Sequence, residues 1–290
     1  MKQVVVTADD FGIAEEINRG IIHAHLRGIV TSASLLTNAP ATLNAIQLGK
    51  ECPTLEIGIH LSLVEGISLR GRHGTTTDEL RYFNDSICLH RHWRPFVLRY
   101  MTGRIKLAEI EEELRLQFET FLKYYDRIPF ANGTQHLHLL PGIQELVIKL
   151  CQEYKVGVLR IPSGKDGRGR FPFDFALKIL GKKMRKNLGA SKFSAPTCTD
   201  QFEGFQVSGC LTESDLMKIL DNLGDGTTEI MTHPGFNSRF LRTNLSWGYR
   251  NFRWEQELEA LTSPMVRGMI RSQGIEITSF SRIHREEQHG

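Results

Sequence analysis

The sequence predicts an α/β fold built on a parallel sheet with helices outside it. Two observations carry this. Apolar, β-branched segments alternate with amphipathic ones from the first residues onward, giving β-α-β-α-β within the first sixty or so positions. The strand-like segments also tend to end in polar residues. A length of 290 residues suits one large α/β domain or barrel, and 40% hydrophobic residues allow a core that needs no staples.

Gln3–Ala8 reads as a buried strand. Ala14–Arg27 follows as a helix, with Ile17, Ile21, Ile22 and Leu26 at helical spacing and Gly28 at its end. Val30–Leu36 is a second strand, Ala41–Lys50 a helix and Leu55–Leu63 a third strand. Ser68–Tyr100 reads as a long loop with short elements, including the basic-aromatic run His90-Arg91-His92-Trp93-Arg94-Pro95. Leu107–Tyr124 is an amphipathic helix with Ile110, Leu114, Phe118, Phe121 and Leu122 on one face. A strand around Phe130–Leu139, a helix around Ile143–Tyr154 and a strand at Gly157–Ile161 come next.

The character changes at about 163–195. Nine Lys or Arg and two Asp lie between Lys165 and Lys192, interleaved with Phe and aliphatic residues. This is an insertion or an amphipathic basic helix. It reads as a solvated face or as a peripheral contact with anionic lipid or a lipid-linked substrate. Thr212–Leu223 is a helix, Thr227–Thr232 a strand, and Trp254–Gln273 a helix broken near Pro264. Ile275–Phe280 is the last strand, and 284–290 a polar, frayed tail. With no internal repeat or boundary evident, residues 1–283 are expected to form a single domain.

Net charge is +3, too mild to suggest nucleic-acid binding. The five cysteines are widely spaced without a CxxC, which fits reduced thiols in the cytoplasm. No run approaches the roughly 20 apolar residues of a membrane span, and Asp9 and Asp10 end the first apolar run too early for a signal peptide. Membrane association at a surface, and a homodimer, stay open.

The polar strand ends point to a site. Asp9-Asp10 close the first strand, His60 lies late in the third, and His136 and His138 share one face of the next by alternation. Arg160 and His233 end two more. Parallel α/β sheets gather active sites at the C-terminal ends of their strands, so these groups are expected to meet at one mouth. Asp and His donors without cysteine suit a catalytic divalent metal. His23 and His25, on the first helix, read as ordinary surface or core histidines.

The blocks TADDFGIAEEINRGIIHAHLRGIVTSASLLTN, LEIGIHLSLVEG, QHLHLLPG, LRIP, TEIMTHPGF and LTSPMVRGMIRSQGIEITSF resemble the YdjC-like family, the ChbG/HpnK carbohydrate deacetylases. DQFEGFQVSG is closer to the HpnK branch, linked to acetylglucosamine-bearing hopanoid lipids. The resemblance implies a (β/α) barrel of the polysaccharide-deacetylase type. It also implies metal-dependent removal of acetate from an N-acetylated amino sugar, as oligosaccharide or glycolipid. One divalent ion, Mg or Zn, is implied at Asp10 and His60; the family's third ligand position is held here by Thr134, so His136, two residues on, is the expected substitute that would lean in. Asp9 is implied as general base, Arg160 as its orienting partner and His233 as general acid; His138 and Glu65 are assigned to substrate.

One position departs. Thr134 stands where the family's third metal ligand is a histidine, and His136 is two residues on. This motivates a second reading, a catalytically impaired relative that binds sugar or glycolipid. A third is another metal-dependent hydrolase on the same barrel.

Overall fold

The computed structural model describes the chain except residues 71–81, 84–85, 88, 90–91, 163–172, 190–195, 246–248 and 290. The N-terminal strands are β1 (Lys2–Phe11), β2 (Ser32–Leu35) and β3 (Glu56–Leu61). A separate antiparallel ladder joins β4 (Tyr82–Phe83) to β5 (Ser86–Ile87). Then come β6 (Phe130–Gly133), β7 (Val158–Leu159), β8 (Gln201–Glu203), β9 (Gly226–Thr232) and β10 (Glu276–Ile277). The main sheet runs β7-β6-β3-β2-β1-β9-β8, with β10 beside the start of β1, and every pairing is parallel. An isolated parallel bridge between Val158 and Thr197 connects the β7 end to the segment entering β8, curling the sheet toward a barrel.

The helices are α1 (Glu15–Arg27), α2 (Thr42–Glu51), α3 (Trp93–Met101), α4 (Leu107–Leu122), α5 (Ile143–Glu153), α6 (Phe173–Gly189), α7 (Glu213–Asp221), α8 (Arg239–Asn244), α9 (Trp254–Thr262), α10 (Pro264–Ser272) and α11 (Phe280–His289). Ser263 caps α10, its hydroxyl accepting from the N–H groups of Met265 and Val266, with Pro264 opening the helix.

Strand alternation sorts the core into two sides. Val4, Val6 and Ala8 of β1 belong to the large apolar cluster beneath the helices. Val5 faces the other way, into a small cluster with Phe130, Val158, Phe280 and Ile283. Thr7 and Asp9 continue that inner row. The interior is therefore apolar at the N-terminal end and polar toward the mouth.

The structure departs from the sequence reading in several places. The strand expected over Phe130–Leu139 stops at Gly133, because its partner β3 stops at the paired Leu61 and no ladder continues. Thr134–Leu139 forms 3₁₀ turns instead, with Gln135 and His136 at φ 48° and 54°. His136 and His138 thus do not share a strand face. The expected last strand Ile275–Phe280 shortens to Glu276–Ile277, and the chain from Phe280 through most of the expected frayed tail forms α11, whose Phe280 and Ile283 plug the bottom of the barrel; the Phe280 and Phe130 rings lie 4.2 Å apart. Two apolar residues three positions apart suffice to anchor this otherwise polar helix. Leu26 is 63% exposed, so the buried face of α1 is Ile17, Asn18, Gly20, Ile21 and Ala24. Within the expected loop, Trp93–Met101 is a helix.

Part of the basic stretch, and Arg91, lie outside the described residues. Over α6, Leu177, Met184 and Leu188 are buried, Lys183 pairs with Glu145 at 3.1 Å, and Arg185 donates to the Thr199 carbonyl at 2.8 Å. Two of its cations are therefore engaged within the molecule. No helix among the described residues is long and apolar enough to cross a membrane.

Gly20 of α1 meets Gly235, just past β9, so closely that a Cβ at position 20 would lie 2.3 Å from the Gly235 Cα. This backbone contact sets the loop that carries His233. Gly20→Ala is expected to destabilise the protein by about 1–3 kcal/mol, measured by chemical denaturation.

Candidate active site

The two carboxylates of Asp9 and Asp10 both line one cavity, although neighbours in a strand point to opposite faces. The pairing register with β2 slips between Ala8 and Phe11, where three steps along β1 match two along β2. Asp10 takes φ 66°, in the left-handed region. This irregularity breaks the alternation and delivers both side chains to the mouth. Gly12, at φ 108°, completes the turn, with its N–H donating to Asn18 Oδ1 at 2.7 Å.

Asp9 is 3% exposed and doubly held by Arg160, whose NH1 donates to Oδ2 at 2.5 Å and NH2 to Oδ1 at 2.9 Å. Ser34 Oγ also reaches Asp9 Oδ1, at 2.8 Å. The other edge of the guanidinium faces Glu229, which accepts from Nε at 2.9 Å and NH2 at 2.6 Å. Burial pushes the Asp9 carboxyl up, but Arg160, with His60 and His233, outweighs burial and holds it well below the usual carboxylate range. Burial pushes Glu229 up, only partly offset by Arg160.

His60 Nε2 lies 3.5 Å from Asp10 Oδ1. Its Nδ1 faces Asn132, whose amide satisfies its surroundings when the nitrogen points to His60 and the oxygen accepts from Arg160. Burial lowers the His60 pKa, but Asp9 and Asp10 together raise it above its ordinary value. His136 reaches the cavity through the left-handed turn that carries it. Burial, with the neighbouring His138 and Arg160, pushes its pKa well down, so its ring is neutral. Its Nδ1 is buried with no hydrogen-bond partner.

His233 also lines the cavity, its ring edge-on to Phe252 at 5.0 Å. Its backbone N–H donates to the fully buried Glu257 at 2.5 Å, and Glu257 also accepts from the Leu211 N–H at 3.2 Å, tying two mouth loops together. Trp93, Phe205, Tyr249 and Phe252 add aromatic walls to a cavity of about 290 Å³. The Tyr249 hydroxyl is in hydrogen-bonding contact with Asp10, and burial followed by the charges of Asp10 and Glu65 pushes its pKa far up.

The structure brings Asp9, Asp10, His60, His136 and His233 to one cavity, with Arg160 directly behind Asp9. It does not bring His138 or Glu65 to the cavity wall. His138 is 1% exposed, its Nε2 bonded to the Arg160 carbonyl at 3.1 Å, and burial lowers its pKa to about 3. It lies beneath the site because residues 134–139 turn rather than extend. Glu65 is also buried, accepting from Gln135 Nε2 at 3.4 Å. Thr134 is buried too, its hydroxyl directed at the Leu61 carbonyl at 3.5 Å.

Sequence reasoning missed Ser34, Asn132, Glu229, Tyr249 and Glu257. A glutamate inside TTEIMT carried a usable signal, since a charge buried in a central strand requires a partner. The ordinary Asp9 value is 3.8 and the folded value is lower, so its stabilising contribution is full above 3.8 and is lost as pH falls below it. The acid limb of the wild-type melting curve, plotted against pH, is expected to be steeper than that of Asp9→Asn.

A sequence model of YdjC-like proteins matches residues 3–272. A Brevibacillus brevis protein named carbohydrate deacetylase is 29% identical over 282 residues, spanning 97% of this chain and 99% of its own. A Yersinia enterocolitica protein named chitooligosaccharide deacetylase is 29% identical over 284 residues, 97% of this chain and 98% of its own. A crystal structure from Enterococcus faecalis, described as a putative cellobiose-phosphate cleavage protein, superposes with a TM-score of 0.71. It is 21% identical and covers 97% of this chain and 98% of its own. With a family match over nearly its whole length, the chain belongs to the YdjC-like family.

Proposed function

We propose that this cavity hydrolyses the acetamide of an N-acetylated amino sugar, releasing acetate and leaving a free amine on the sugar. The observation that carries the reading is Asp9. It is an ionised carboxylate fixed bidentately by Arg160, facing one cavity with Asp10, His60 and His233. The names of the relatives supply the substrate class: carbohydrate in one case and chitooligosaccharide in the other. The aromatic walls suit a sugar ring, whose C–H face packs on π surfaces.

Arg160 and Ser34 occupy three of the four lone-pair positions of the Asp9 carboxylate and leave one on Oδ2 to take a proton from an attacking water. The water adds to the amide carbon. The tetrahedral intermediate collapses as the C–N bond breaks, and His233 gives a proton to the departing amine. Arg160 keeps Asp9 ionised at neutral pH and also limits its basicity, so orientation contributes more than proton affinity.

The donor chemistry fits a divalent ion in kind: the Asp10 carboxylate and His60 imidazole would hold it, with His136 completing the set. Among the described residues no three His, Cys, Asp or Glu groups already stand in a metal-holding arrangement, so His136 would have to lean in. Such an ion supplies Lewis acidity at the amide oxygen and a more acidic water.

The non-cleaving reading rests on Thr134 and on the third ligand missing among the described residues; what favours cleavage is that Asp9, with Arg160 behind it, and His233 meet at one cavity. Asp9→Asn is expected to lower acetate release from N-acetylglucosamine oligosaccharides by about 10²–10⁴-fold while the protein still folds. Full activity in that variant would refute the mechanism. Thr134→His is expected to tighten zinc binding by about 10-fold or more, read by calorimetry on chelator-treated protein.

A further inference from the structure

The helix α3 has two unlike faces. Trp93, Phe96, Val97 and Tyr100 turn inward: Phe96 is 3% exposed, and the Tyr100 hydroxyl donates to the Pro141 carbonyl at 2.8 Å. Leu98 and Met101, three positions apart on the outer face, are 66% and 67% exposed. Leu107, at the start of α4, is 40% exposed. Uncompensated apolar side chains of this size on one short segment mark a contact surface.

Along this segment the charge has one sign, and the carboxylates nearest it are Glu109, which accepts from the Lys106 N–H at 2.9 Å, and Glu145, beside Tyr100. From Trp93 to Leu107 the sequence holds Arg94, Arg99, Arg104 and Lys106, with no Asp or Glu. Arg94, Arg104 and Lys106 are exposed. The first residue of α3, Trp93, also lines the catalytic cavity. The surface therefore adjoins the mouth.

We propose that the outer face of α3, with the turn into α4, docks this protein on an anionic lipid bilayer. Leu98 and Met101 enter the acyl boundary, and the flanking cations meet the lipid phosphates, as in other interfacial amphipathic helices. Charge decides between a bilayer and a second copy of this chain. A two-fold contact through this face would set the exposed cations Arg94, Arg104 and Lys106 of one copy against those of the other. The basic helix α6 is the weaker candidate for this contact, because Lys183 and Arg185 are engaged inside the molecule. The docking is independent of the proposed reaction and would present the cavity mouth to a substrate anchored in the membrane.

The test is co-sedimentation of the full chain with vesicles of phosphatidylcholine, alone or mixed with phosphatidylglycerol, at two salt concentrations. Two double variants are compared with the wild type: Leu98→Ser with Met101→Ser, and Arg104→Glu with Lys106→Glu. The wild type is expected to sediment with the mixed vesicles, more weakly at high salt, and to stay in solution with phosphatidylcholine alone. Each double variant is expected to lose about 10-fold in partitioning at an unchanged thermal midpoint, and to cleave a soluble substrate as the wild type does. A wild type that ignores anionic vesicles, or variants that bind as well as it does, would overturn the proposal. So would a dimer in light scattering that the Leu98→Ser, Met101→Ser variant converts to monomer.

Discussion

Arg160 lies inside the barrel at 2% exposure, with one edge of its guanidinium on Asp9 and the other on Glu229. A cation buried this deeply is tolerable only because both edges of its fork are matched. Removing one partner from such an arrangement typically costs about 3–5 kcal/mol, since the remaining charge is stranded away from water. The consequence runs outward to the mouth. Asp9 is fixed in one orientation and kept ionised, with Ser34 donating to Asp9 and the Asn132 oxygen accepting from Arg160. The polar layer stands above the apolar plug of Val5, Phe130, Val158, Phe280 and Ile283, which closes the other end of the barrel.

The mouth is made where regular structure fails. Asp10 reaches the cavity through a register slip, and His136 through two consecutive left-handed residues. Non-glycine residues held there cost of order 1–3 kcal/mol each, and the surrounding structure must impose them. The contact of Gly20 with Gly235 and the Glu257 bonds to His233 and Leu211 impose similar precision on the loop across the mouth.

Much of this was legible in the sequence, and the limits have physical reasons. The early β-α-β-α-β reading matches β1 to β3 because those strands are long or apolar enough to show their period. Helix α11 went unread, as a strand end and a frayed tail, because only Phe280 and Ile283 in its ten residues carry its packing. β8 is three residues long, with Gln201 and Glu203 flanking Phe202, and gave no periodic signal. In the site, Asp9, Asp10, His60, Arg160 and His233 could be named because each ends a recognisable strand. His138 was misplaced because alternation was extended past Gly133, where the ladder ends. Glu229 and Tyr249 act through partners distant in sequence, which no local pattern reveals.

The claim at the centre of this account is that the two-pronged hold of Arg160 on Asp9 makes the cavity a hydrolytic site. Arg160→Lys keeps the charge and removes the fork. The most direct measurement is the kinetics of acetate release by that variant, with its fold checked by circular dichroism. The account predicts a kcat at least about 100-fold lower, with KM little changed, because a base misplaced by about 1 Å loses its alignment with the attacking water. A folded Arg160→Lys protein with wild-type kcat would contradict it.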